Sequence, residues 1–403
     1  MMQYKDTRKS LPAIGRELGV DAIVEGSVLR SGNRVRITAQ LIGAASDRHL
    51  WAGSYEFEAG DILAVQARVA EAIAREVSLK LSAGERARIQ KQSTVNAGAY
   101  EAYLHGRYSW SRRNEKDMRT AVECSQQAIA LDPNFASAYA GLADCYTRLA
   151  LWGRENRVSP DARVAAQKAL DLDDSLAEAH TSLAAVKIYQ DWDWAGAERE
   201  FKRAVELNPN YAQAHHWYAN MLLGLLARHT EAIHEMRRAL ELDPLSLILT
   251  ADLGCAYYLA RRYDETLEQY RKVQEIDPDY VPLHYYLVQY YRATNKYDDW
   301  LRESMVYSRS EGRGDWAALL EKRTPGHDWR SLIQPWTAHG APLLPGGIAG
   351  VYEMLGERDR ALAALAESVS NHDPIVIYLR TDPLWDPIRE DPRFKQLAHR
   401  VGF

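Results

Sequence analysis

His215 with His216, His229 with His234, Asp191 with Asp193, and the cysteines Cys124, Cys145 and Cys255 are the residues whose types could hold a metal, move a proton or attack an electrophile. Their spacing argues against each use. Adjacent histidines on a helix point about 100° apart, and a pair five residues apart is also badly placed, so neither pair suits one metal ion. Asp191 and Asp193 have the types of a general acid and base, but they sit in the tract DWDW (191–194), which reads better as a turn anchored by its tryptophans. The cysteines are odd in number, far apart and never form CxxC, so buried, reduced thiols are expected rather than a disulfide framework or a zinc ribbon. HExxH, GxSxG, SxxK and GxxxxGKS/T are all missing, and the glycines at 312, 314, 346, 347 and 350 follow no expected strand. These observations point away from an enzyme, and no cofactor or metal is expected.

Composition narrows the classes further. Fifty Lys and Arg against 55 Asp and Glu give a net charge of −5, which lacks the basic footprint of a nucleic-acid binder, so no direct nucleic-acid contact is expected. At 403 residues the chain exceeds the roughly 250–300 beyond which one core stops growing, so two domains or a repeat array are indicated. The longest stretches free of charge, 210–227 and 331–352, carry His, Asn and Gln or many Pro and Gly, and neither reads as a membrane span. The opening MMQYKDTRKSLP has no apolar core of a signal peptide, so a cytoplasmic location is expected. Tyr 23 and Trp 11 against Phe 5 favour rings with a polar tip, suited to packed helices that border a wet groove.

The elements come from periodicity. LDP at 131–133, LDD at 172–174, LNP at 207–209, LDP at 242–244 and IDP at 276–278 recur at intervals of 41, 35, 35 and 34 residues. Twelve residues before each third position stand Ala121, Ala162, Ala197, Ala232 and Thr266; five before stand Ala128, Ala169, Ala204, Ala239 and Val273. Tyr139, Leu142, Ala143 and Tyr146, and Leu253, Gly254 and Tyr257, add aromatic and Leu-small positions to the preceding helix. Small residues let two antiparallel helices approach closely while Tyr and Leu fill the space between neighbouring pairs, and the Pro ends the second helix. The pattern matches the 34-residue tetratricopeptide repeat (TPR). The longer first interval predicts an extended loop within 151–160, and the period fades beyond Asp299 before returning with Tyr352, Gly356 and Ala361. The ending RTDPLWDPIREDPRF is expected to cap the last helix pair.

Before Ala99 the period changes. Val35, Ile37, Ala39 and Leu41 alternate with Arg34, Arg36, Thr38 and Gln40, which predicts a half-buried strand. Strands at Ala22–Arg30 and Arg48–Phe57 flank it, with Ser31-Gly32-Asn33 as a tight connector. A short helix with Pro12 near its start and Gly19 after its end precedes the strands. A helix capped by Asp61, with Ile62, Val65, Val69, Ile73 and Val77 on one face, follows them. The fold expected is mainly α, a TPR α-solenoid of antiparallel helix pairs preceded by a small α+β domain. Its division is 1–92 for the α+β domain, 93–98 for a linker, 99–299 for TPR repeats, and 300–403 for degenerate repeats and the cap.

The run LGVDAIVEGSVLRSGNRVRITAQLIGAASDRHLWAGSYE, then a helix, AYEAYLHGRY and the repeats, resembles the FlgO-like domain, related to the TolB N-terminal domain, that precedes TPR arrays in bacterial signalling proteins. The DWDW tract and the TDPLWDPIREDPRF ending are similar to the same group. The resemblance implies an upstream effector in such proteins, a winged-helix regulator, a serine/threonine kinase or a nucleotide cyclase, sometimes with a membrane helix between. A periplasmic location is then the alternative. It also implies a strand before the segment at Met2–Lys5, so either the sheet keeps an open edge, able to self-associate, or Met1 is not the natural start.

If the repeats start at Ala212, Leu247 and Val281, the inward positions of the first helices include His216, Asn220, Tyr258, Tyr285, Gln289 and Arg292. These polar and aromatic residues are expected to grip an extended or helical protein segment. Glu178, Thr181, Ala185 and Ile188 hold the same register one repeat earlier, so the Lys and Asn carboxylate clamp of chaperone-binding TPR proteins is not expected. The function expected is a non-enzymatic interaction scaffold of a bacterial signalling or regulatory system. The alternative is the sensory half of a regulator, kinase or cyclase.

Overall fold

A computed structural model describes residues 9–31, 34–58, 95–152, 159–310 and 345–403, with Val69 and 72–75 besides. The helix expected from Asp61 lies mostly outside the described residues, as do Gly32-Asn33, the Met2–Lys5 segment, 153–158 and 311–344. The chain divides into two units, residues 1–104 with 127–135, and 105–126 with 136–403.

In the first unit, α1 (Leu11–Leu18) carries Pro in its first turn and ends at Gly19, whose φ of +64° lets its N–H reach Gly15 O. Gly15 itself meets Ala44 so closely that a Cβ would stand 2.4 Å from the Ala44 methyl, so only glycine fits there. Strands β1 (Ala22–Ser31), β2 (Arg34–Gly43) and β3 (Arg48–Glu58) form an antiparallel sheet with β2 in the middle. The register sets Ile37 opposite Tyr55 and Leu41 opposite Trp51. On the other face the polar pairs are Glu25 with Gln40 and Arg36 with Glu56. Val35, Ala39 and Leu41 are buried, as the alternation requires, whereas Val28 in β1 stays 67% exposed. Phe135 packs edge-on against Tyr103 at 5.1 Å in the same unit.

Helix pairs follow. They are α2 (Ala97–Ser111) with α3 (Glu115–Leu131), α4 (Ala136–Trp152) with α5 (Pro160–Leu172), and α6 (Ala177–Val186) with α7 (Trp194–Leu207). Next come α8 (Ala212–Trp217) with α9 (His229–Leu242), α10 (Leu247–Leu259) with α11 (Tyr263–Ile276), and α12 (Val281–Ala293) with α13 (Tyr297–Ser310). A last pair, α14 (Pro345–Leu355) and α15 (Arg358–Asn371), precedes two short 3₁₀ turns at Pro374–Tyr378 and Pro383–Trp385 and a final helix α16 (Pro392–Arg400). All ten small or β-branched positions flagged by the repeat, from Ala121 to Val273, are at most 1% exposed, so they are the crossing points of the helices. At Gly254 a Cβ would lie 2.4 Å from the Tyr270 ring, which explains the Leu-Gly step of that repeat.

The unequal intervals have a structural cause. After α6 and α8 the first helix runs on as a π-helical turn, Lys187–Asp191 and Tyr218–Leu223, and these are the two repeats 35 residues long. The repeat of 34 residues, with α10 as its first helix, continues without one. A π-turn absorbs one extra residue without losing the helix axis. In four of the five LDP-type signals the Asp or Asn also has a task beyond composition. The side chains of Asp132, Asp173, Asn208 and Asp277 accept the N–H two residues on at 3.1–3.3 Å, an Asx turn that shapes the entry to the next repeat.

Turns inside the pairs rest on left-handed residues: Trp192, Ala227, Arg261, Asn295 and Gly356 have φ of 55°, 62°, 60°, 57° and 78°. At the last four, the next N–H reaches the carbonyl five residues back at 2.9 Å, which satisfies an end carbonyl of the first helix. Only one of the five is glycine.

Candidate partner-binding channel

The first helices of successive pairs line an inner face, and two buried carboxylates organise it. Asp144 in α4, 2% exposed, accepts from Ser182 Oγ at 2.6 Å, Gln213 Nε2 at 2.9 Å and Arg107 Nη1 at 3.3 Å. Burial pushes its carboxyl above the usual range, against the pull of Arg107. Asp252 in α10, also 2% exposed, faces His216 Nε2 at 2.6 Å and accepts from the Tyr286 hydroxyl. Burial would raise Asp252, but the bonds from His216 and Tyr286 prevail and hold it below its ordinary value. Burial lowers His216 despite Asp252. The pair is therefore a neutral imidazole donating Nε2–H to a carboxylate.

The six residues expected to form the groove do not act as one surface. His216 is 4% exposed and committed to Asp252. Tyr258, 4% exposed, donates its hydroxyl to Asp382 Oδ1 at 2.7 Å. Arg292 lies 3.9 Å from Asp382 and donates to Gln289. Tyr258 and Arg292 thus meet on the chain's own C-terminal segment, with Gln289 beside them. Asn220 is half-buried in the π-turn after α8. Tyr285 keeps 40% of its surface exposed, although burial pushes its phenol up.

The ending does more than cover the last helix pair. Val376, Leu384 and Trp385 join the cluster of α13, α14 and α15, while Ile377, fully buried, joins the cluster built from Trp110, Met118, Ile188, Phe201 and Trp217. Arg261 donates to Thr381 O at 2.8 Å and to Asp386 Oδ1 at 2.6 Å. Trp192 stacks on His372 at 4.1 Å and Trp194 Nε1 donates to Val401 O at 2.9 Å, so both tryptophans of the DWDW turn hold this segment. Asp193 accepts from Gly196 N as the cap of α7, and Asp191 pairs with Arg163. Three of the four Asp-Pro steps, at 373, 382 and 391, shape the segment, each Asp accepting the N–H two residues on while its Pro opens the turn.

Asp144, Asp252 and Asp382 were not anticipated as organisers of the face. Asp252 is the one charged residue of α10 and Asp144 the one acidic residue of α4, a signal available in the sequence but with no indication of partners. Burial pushes all three thiols up, Cys145 and Cys255 from buried positions, which disfavours the thiolate. Among the described residues no three His, Cys, Asp or Glu side chains cluster as a metal site.

The repeated helix pairs, their crossing points and their turns define the class: a mainly α protein, a TPR solenoid with a small α+β part at its N-terminal end. No family model matches the chain. A curated protein of Rhizobium meliloti (strain 1021), "Putative adenylate cyclase 3", is 34% identical over 185 residues, 45% of this chain and 31% of that protein. The chain thus spans less than a third of that relative's length. Similar solved structures include a thermophilic TPR protein of Thermus thermophilus, at 20% identity over 46% of this chain and 94% of that one, with a TM-score of 0.38. Yeast Tom70 is 14% identical over 75% of this chain and 67% of its own, with a TM-score of 0.42. YrrB, described as a TPR protein with an unusual peptide-binding site, is 22% identical over 49% of this chain and 94% of its own, with a TM-score of 0.29. Among the described residues no helix is long and apolar enough to cross a membrane.

Proposed function

We propose that the chain is a non-enzymatic interaction module whose inner face binds a segment of a protein partner within a bacterial signalling or regulatory system. The observation that carries this reading is the wet, aromatic part of that face. Tyr285, 40% exposed, stands edge-on to Tyr286 at 5.6 Å and near Tyr307 at 5.7 Å, so a group of three rings presents one exposed aromatic face to a ligand. Tyr258 and Arg292 act there indirectly, by holding the C-terminal segment that borders the opening. Peptides selected from a random library against the purified chain test the assignment. Tyr285→Ala combined with Asn220→Ala is expected to weaken them by about tenfold or more, a loss of roughly 1.4 kcal/mol. Unchanged affinity in the double variant would remove the inner face from the proposal.

The FlgO-like reading of residues 1–92 and the division at 93–98, 99–299 and 300–403 belong to the same proposal, supported by the order α1, β1, β2, β3. β1 forms an edge of the described sheet and carries exposed Val24, Val28 and Leu29, so the proposal includes self-association there, checked by light scattering across a concentration series. A second reading is favoured by one observation, the 34% identity over 185 residues to the cyclase-named relative. On this reading the chain is the sensory part of a nucleotide cyclase. The intact mass of the protein from its native source tests it. A mass well above 45.7 kDa with cyclase activity in the longer chain supports it, and a mass of 45.7 kDa removes the effector.

A further inference from the structure

Arg113, just after α2 and with φ of +57°, is 6% exposed. Its guanidinium lies 3.8 Å from the centre of the Trp110 ring, and Arg107 lies 4.6 Å from the same ring. The two arginines differ in what they meet. Arg107 reaches Asp144 at 3.3 Å and Gln213 Oε1 at 3.0 Å. Arg113 has neither a hydrogen bond nor an ion pair among the described residues, and its Nε is buried without an acceptor. Asp252 attracts it from a distance, but both oxygens of that carboxylate are engaged by His216 and Tyr286. Burial and the like charge of Arg148 press the pKa of Arg113 down to about 9, which still leaves a cation at neutral pH.

Two neighbours share the deficit. Trp110 Nε1 and Trp217 Nε1 are buried without acceptors, and their rings lie 6.3 Å apart. Among the described residues the group therefore holds three unsatisfied donors and no unsatisfied acceptor. Buried polar groups in folded proteins are nearly always paired, so donors of one kind gathered in one place are suited to an acceptor. A guanidinium lying over an indole keeps its in-plane N–H edge for a second partner, and that planar fork matches a carboxylate or a phosphate. Arg148 beside it is half-buried, so the group lies near the protein surface.

We propose that Arg113, stacked on Trp110 and flanked by Arg148, forms an oxyanion-binding site on the inner face of the solenoid that takes the carboxylate or phosphate group of a ligand. The site does not depend on which partner the remainder of the face binds, because a free anion suffices to fill it.

The test uses the full chain and its thermal unfolding midpoint, titrated at constant ionic strength with inorganic phosphate in one arm, acetate in a second and chloride as control. The expected result is a saturable rise of the midpoint with phosphate, with acetate or with both, the responding arm naming the source, and no rise with chloride. Arg113→Met is expected to raise the anion-free midpoint by removing an unpaired buried charge, and to lose at least about tenfold in anion affinity. Arg113→Lys keeps the charge without the planar fork, so it is expected to leave the anion-free midpoint unchanged and weaken anion binding several-fold; it also serves if the Met variant does not fold. No response to either anion in the native chain would overturn the proposal. So would an equal response in Arg113→Lys and Arg113→Met, or a lower anion-free midpoint in both, which would make the stack on Trp110 purely structural.

Discussion

The two ends of the inner face solve the same problem differently. Toward the C-terminal end, Tyr258, Arg261 and Arg292 give polar atoms to Asp382, Thr381 and Asp386 of the chain's own final segment, although Arg292 Nε, Thr381 Oγ1 and Trp385 Nε1 stay unpaired among the described residues. Toward the N-terminal end, Trp110, Arg113 and Trp217 bury donors that find no acceptor among the described residues. The first arrangement stabilises the fold, while the second leaves desolvation uncompensated until something arrives. The lesson is that an inward position with the right side chain is not yet a binding position. What matters is whether the chain has already used its polar atoms.

The largest expected effect comes from breaking the C-terminal end. Trp385 is 1% exposed in the C-terminal cluster, and Trp385→Ala is expected to cost about 3–5 kcal/mol, read as a fall in the urea midpoint. Hydrogen exchange sharpens it, since loss of protection confined to α13–α16 would mark that end as a separable unit. Equal loss in α6–α9 would show Ile377 transmitting the damage. Asp382→Ala strips the acceptor from Tyr258, from Leu384 N and from the vicinity of Arg292, at a cost of about 3 kcal/mol. Ala204→Leu overfills a fully buried crossing point, at about 1–3 kcal/mol. Tyr258→Phe removes only the hydroxyl and costs about 1 kcal/mol, and combined with Asp382→Ala it should add little more, because both changes remove one bond.

The smallest effect concerns pH. Burial opposes protonation of His180, but Glu200 at 2.8 Å and the Asp174 carbonyl prevail and raise its pKa above 6.5. Burial likewise opposes ionisation of Glu200, and His180 prevails, holding it below 4.5. The raised His180 contributes stability that is full below its unfolded value and lost as pH rises through the folded one. The lowered Glu200 contributes above its unfolded value and is lost as pH falls through the folded one. The pair therefore stabilises most between the two ordinary values, and Glu200→Gln is expected to flatten the urea midpoint between about pH 5 and 8.

His180 with Glu200, His215 with Glu235 and His284 with Glu303 form the same bond from first to second helix in three repeats. Each bond spans 19 or 20 residues, and the histidines recur at the repeat interval or twice that, so the pattern could have been found by aligning repeats rather than by searching for metal spacing. The left-handed turns were harder to see, because Ala227 and Arg261 carry no mark of positive φ. Tertiary packing imposes it on them at a steric cost of about 1–2 kcal/mol each.

Helix pairs, crossing alanines, the hairpin alternation and even the π-turns were written in intervals along the chain, because each depends on contacts between residues fewer than about 35 positions apart that repeat. The fate of the inner face was decided elsewhere. Tyr258 meets a residue 124 positions away and Trp194 one 207 away, and Ile377 enters a cluster begun by Trp110. No period connects such partners. Whether Tyr258 and Arg292 would face a ligand or the protein's own ending, and whether Arg113 would find a carboxylate, depended on how the superhelix brings remote segments together.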